Sequence, residues 1–94
     1  MTAVGLLTMD LQIPGSRSLK SKRKVVKSIV ARLRQRSNVA VAEVGYLDKW
    51  QRSMIGVSTV SNDARHVDSQ LRKALDSIER MGLAVILDFK IEIL

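Results

Sequence analysis

The single histidine of the chain, His66, stands close in sequence to Asp63, Arg65 and Asp68, and proton transfer by a side chain would be sought there first. Such chemistry needs a base held against a second group inside a pocket, and the spacing of these four residues specifies no such pair. No Gly-rich phosphate loop, Ser-His-Asp order or metal-binding motif accompanies them. Asp63 and His66 read more simply as first-turn residues of a helix. The absence of cysteine removes thiol catalysis, disulfides and Cys-based zinc sites, and one histidine cannot assemble a His-rich metal centre. We therefore expect no enzyme activity, no metal and no cofactor.

The chemistry that the sequence concentrates is anion binding. Formal net charge is +7, from 16 Lys+Arg against 9 Asp+Glu. Nine of the cations, Arg17, Lys20, Lys22, Arg23, Lys24, Lys27, Arg32, Arg34 and Arg36, lie in one stretch that has no acid between Asp10 and Glu43. The rest of the chain is slightly acidic, so the whole excess belongs to one segment, as expected of a surface that meets a polyanion such as RNA. A solvated helix face is the simpler alternative. Ser18 reads as a helix N-cap, which puts Arg17, Lys20, Lys22 and Arg23 around the positive end of the helix dipole, where cations cost about 0.3–1 kcal/mol each at low salt. A phosphate on the free amides of Ser18–Lys20 would relieve that conflict; the other resolution is that the side chains reach into water. We expect the phosphate contacts at Arg17, Ser18, Lys20, Lys22, Arg23, Lys24, Lys27 and Arg34. Trp50 and Arg52, with Tyr46 nearby, are added as candidate nucleic-acid contacts, the exposed ring stacking on a base beside the guanidinium; the alternative is that Trp50 packs against the core edge or a partner subunit.

The elements that must hold these residues follow from periodicity. At 94 residues the chain makes one domain, 1–94. Ala3–Ile13 alternates as a strand, Pro14-Gly15-Ser16 turns, and Leu19–Ser37 carries Leu19, Val26, Ile29, Val30 and Leu33 on one side of a helix. Lys20, Arg23, Lys24, Lys27 and Arg34 then share one flank, and Arg32 and Arg36 lie toward the other edge of the apolar stripe. Val39–Tyr46 and Arg52–Ser61 form a hairpin. Ser61-Asn62-Asp63 caps a second helix that ends at Gly82, and a last strand from Val85 runs to the terminus. The order βαββαβ predicts an α+β ferredoxin-like sandwich, a four-stranded antiparallel sheet with both helices on one face.

The alternation assigns Val4, Leu6, Met54 and Ile86 to the uncovered sheet face together with Asp10, Asp88 and Glu92, and turns Phe89 toward the helices. Lacking aromatics and carrying acids, that face is unsuited to stacking bases. Its apolar residues suggest the competing class, a self-associating structural or regulatory module, a homodimer through this face or through an edge strand with Trp50 near it. The apolar runs are too short for a membrane span and no export signal is evident, so the expected location is cytoplasmic, with no membrane partner.

Ser18-Leu19-Lys20-Ser21-Lys22-Arg23 and Ser61-Asn62-Asp63-Ala64-Arg65-His66, with Val41-Ala42-Glu43-Val44 and Trp50-Gln51-Arg52 between them, strongly resemble the YlxP-like family of small bacterial proteins. The likeness covers nearly the whole chain and implies a ferredoxin-like fold. Members are often encoded near translation-initiation and ribosome-maturation genes, which implies a link to ribosome assembly, with RNA or a ribosomal particle as partner. It brings no catalytic residues.

Overall fold

The computed structural model describes residues 1–36 and 38–94. Its elements run β1 (Ala3–Gln12), α1 (Leu19–Arg34), β2 (Ala40–Gly45), β3 (Arg52–Ser61), α2 (Ala64–Met81) and β4 (Val85–Ile93). The sheet order is β2-β3-β1-β4 and every neighbouring pair is antiparallel. This is the ferredoxin-like sandwich. The first helix stops at Arg34, short of the expected end, and Ser37 lies outside the described residues.

Leu7, Met9 and Leu11 of β1 with Ile55 and Val57 of β3 form the inner layer, and α2 closes it with Val67, Leu71 and Ile78. Ile29 and Leu33 of α1 complete the core. Asp63 caps α2 by accepting the Arg65 N–H at 2.9 Å, and Gly82 ends that helix with φ +66°, a left-handed turn that glycine adopts without strain. α1 packs over β2, whereas α2 spans β1, β3 and β4.

Gly5 sets how closely α2 approaches β1. A Cβ there would stand 2.3 Å from Val67 Cγ1 and 2.9 Å from Leu71 Cδ1. Gly5→Ala is accordingly expected to destabilise the domain by about 1–3 kcal/mol through overpacking, read as a lower urea midpoint. An unchanged midpoint would show that α2 can retreat at no cost.

One strand departs from its expected phase. Residues of β4 from Asp88 to Ile93 keep the regular alternation, pairing Phe89 with Met9 and Ile91 with Leu7 on the helix side. A bulge between Asp10 and Leu11 then pairs Leu11 with Ile86. Ile86 is thereby rotated to the helix side, where it packs against the core, and does not belong to the open face. That face keeps Val4, Leu6 and Met54, to which Val44 and Val60 are added, and its β4 margin carries Asp88, Lys90 and Glu92. Among the described residues, no helix is long and apolar enough to cross a membrane.

Candidate nucleic-acid interface

Three segments are locked together at one end of the molecule. The turn before α1 is held by Ser16, which is buried and whose carbonyl accepts from Gln51 Nε2 at 3.1 Å, while the Ile13 N–H donates to Gln51 O at 2.9 Å. Ser18 takes the N-cap, its hydroxyl accepting the Ser21 N–H at 3.0 Å. This hydroxyl is a cap, not a free anion ligand. The amides of Leu19 and Lys20 have no carbonyl one turn earlier in the helix to bond. The β2–β3 loop closes beside them, with Tyr46 held at φ +57°.

Arg17, Lys20, Arg23, Lys24 and Lys27 are all exposed. Lys20, Arg23, Lys24 and Lys27 line an open groove of about 740 Å³ on the flank of α1 that faces β2, over a floor of Val26, Val30 and Glu43. No acid lies in the first turn of α1, and among the described residues none of these five cations makes a salt bridge. Arg34 is exposed but reaches back, donating from Nη2 to Val41 O at 2.9 Å. Arg32 and Arg36 lie on the opposite side of α1, toward α2, where Arg36 Nε donates to Ser77 Oγ at 2.8 Å.

Lys22 is the clear exception to the expected set. Its side chain is fully buried, and Nζ bonds Glu43 Oε2 at 2.6 Å, Tyr46 O at 2.8 Å and, more weakly, Leu47 O at 3.5 Å. The buried Ser53 hydroxyl donates to the same Glu43 oxygen at 2.7 Å. Three ammonium hydrogens thus face three acceptors, and no phosphate can reach the group. Lys22 is a pin between α1 and the hairpin. Its position could be read in the sequence, because Lys22 precedes Val26, Ile29 and Leu33 at helical spacing on the buried stripe.

The hairpin residues divide. Trp50 is 56% exposed. Arg52 instead turns to the open sheet face, where its guanidinium donates to both carboxylate oxygens of Asp10 at 2.8 Å and lies 4.7 Å from the centre of the Tyr46 ring. The hydrogen bond to Asp10, opposed by desolvation and reinforced by the carboxylate's negative charge, holds the guanidinium above the ordinary arginine pKa. Arg52, expected beside Trp50 as a nucleic-acid contact, is therefore already engaged by Asp10. A cross-strand ion pair of this kind becomes visible only once the register is known.

The residues around His66 have separate engagements. His66 Nε2 lies 3.4 Å from Gln70 Nε2, Asp63 caps α2, and Asp68 accepts from Arg72 Nε at 2.9 Å across one helical turn. No group of these side chains converges on a common point.

Residues 4–91 match a protein family described as "Protein of unknown function (DUF503)". The uncharacterized protein YlxP of Bacillus subtilis (strain 168) is 34% identical over 76 residues, covering 81% of this chain and 83% of its own. Among solved structures, the de novo designed protein Foldit4 aligns with a TM-score of 0.58 at 12% identity, over 100% of this chain and 97% of that one. SnoaB, a cofactor-independent oxygenase from Streptomyces nogalater, aligns with a TM-score of 0.51 at 11% identity, over 100% of this chain and 92% of that one. At such identities the likeness is of fold alone.

Proposed function

The chain belongs to the DUF503 family, and we propose that it is a non-catalytic protein that binds RNA or a ribonucleoprotein surface through α1 and the turn before it, in the setting of ribosome maturation or translation. The observation that carries this reading is the basic groove: Lys20, Arg23, Lys24 and Lys27 line it together, Arg17 stands just before the helix, no acid on α1 answers any of them, and the one acid in the lining, Glu43, is bound to Lys22. Concentrated like charge without partners is a cost in the free protein, and a polyanion removes it. The exposed Trp50, in the loop that Lys22 ties to α1, offers a ring near the phosphate contacts. Phosphate contacts fix position and affinity without reading bases, so the surface favours RNA that is displayed and shaped by a larger particle over a short sequence motif.

The reading is tested by recovering the protein from cell lysate with and without nuclease and sequencing the RNA that accompanies it. Ribosomal RNA fragments are the expected result, and protein partners that survive nuclease with no RNA would overturn it. With a purified fragment, neutralising about four to six phosphates predicts log K falling with log salt at a slope of about −3 to −4 on single strands. A slope near zero would mean that the groove does not engage phosphates.

A further inference from the structure

The two edges of the sheet are protected very differently. At the β2 edge the strand is short, a bulge falls between Glu43 and Gly45, and the Val41 carbonyl is already taken by Arg34. Such features discourage pairing with another chain. The β4 edge also has a bulge, at Leu87, but it is a nine-residue strand with Val85, Leu87, Phe89 and Ile93 all exposed, since α2 leaves part of it uncovered. Between α2 and β4 runs an open groove of about 560 Å³, lined in part by Leu75, Ile86, Leu87 and Phe89. A long apolar edge is a template for another strand.

We propose that β4 pairs antiparallel with β4 of a second copy about a two-fold axis at Phe89, joining two sheets into one of eight strands. The backbone is oriented for it. Val4 and Leu94 exchange both N–H···O bonds, so by antiparallel alternation Glu92, Lys90 and Asp88 point their backbone groups toward β1, while Phe89, Ile91 and Ile93 point theirs outward. The Phe89 N–H, finding no strand beyond it, donates to the Asp88 carboxylate at 2.9 Å. With the axis at Phe89, each Asp88 stands opposite the second copy's Lys90, and Leu87 opposite its Ile91. Shifting the axis to Asp88 opposes two Asp88 carboxylates; shifting it to Lys90 opposes two ammonium groups and sets Asp88 against Glu92. A shift to an axis between adjacent residues sets apolar against charged side chains. An axis at Ile91 also keeps apolar opposite apolar and sets Lys90 against Glu92, but it aligns only the last part of the strand; the axis at Phe89 aligns the whole of β4 on itself and is the register proposed, with the self-complementarity that a two-fold interface requires. The dimer would also place two α1 grooves on one face, separated by about seven strand spacings or ~34 Å, so that one RNA-bearing particle could be gripped twice.

The test is sedimentation of nuclease-treated protein across the micromolar range, which makes the result independent of RNA binding. The wild type is expected to form a dimer. Asp88→Lys and Lys90→Asp each set like charges opposite one another at two symmetric places, and each is expected to raise the dimer dissociation constant about tenfold or more. Combining Asp88→Lys with Lys90→Asp should restore it. A monomer at every concentration overturns the proposal, as does a dimer indifferent to the single reversals, which would move the contact to the open face carrying Val4, Leu6 and Val44. Failure of the combined variant to recover would equally exclude this register.

Discussion

Lys22→Met is expected to destabilise the folded domain by about 3–5 kcal/mol, a large part of the roughly 5–14 kcal/mol that holds a domain of this size together. Methionine keeps the unbranched apolar stem that fills the space beneath α1, so the loss isolates the ammonium and its hydrogen bonds. Without Nζ, the Glu43 carboxylate keeps only the Ser53 hydroxyl, the Tyr46 carbonyl keeps only the Lys49 N–H, and the Leu47 carbonyl loses its weak donor. The consequence extends to the backbone, because Tyr46 is held at φ +57°, where an aromatic residue stays only if its surroundings impose it. Urea unfolding measures the effect. Adding Glu43→Leu to Lys22→Met should recover much of it, since removing both charges of a buried pair is far less costly than removing one. A wild-type midpoint for Lys22→Met would show that the pair is no pin. At temperatures where this variant remains folded, its RNA affinity should stay within about threefold of wild type, because a group without solvent contact neutralises no phosphate.

The same residue shows what could be read from the chain and what could not. Strand alternation, the Ser18 cap and the Gly82 terminus report local preferences, and they specify the βαββαβ order with β3 at its observed bounds. Lys22 also stands at helical spacing from Val26, Ile29 and Leu33, but its residue type argues for the surface. That conflict is resolved only by Glu43, which lies two residues beyond the buried Val41 on the inward side of β2. Contacts between distant segments carry no local signal. Ile86 continues an unbroken alternation in sequence and leaves the open face solely because of a bulge in its pairing with β1. Arg52 looks free until the β1–β3 register brings Asp10 within reach. The flank shared by Lys20, Arg23, Lys24 and Lys27 was legible throughout, since residues on one helix are related by rotation alone.

Reversing Lys20, Lys24 and Lys27 to Glu is expected to reduce RNA affinity by about two orders of magnitude or more at physiological salt, because three attractive contacts become repulsive beside the same phosphates. The matched variant reverses Arg65, Arg72 and Lys73 of α2, an equal change in net charge, and should stay within about threefold of wild type. Both sets are exposed, and the one ion pair lost, Arg72 with Asp68, is a surface pair worth about 0–1 kcal/mol. In α1 the substitution at Lys20 even favours the helix, since an acid in the first turn complements its dipole. Loss of binding with an unchanged circular dichroism spectrum therefore reports the interface and not the fold. Equal losses from the two triple variants would mean that RNA senses only the total charge of the molecule, and α1 would then be a solvated basic face with no binding site on it.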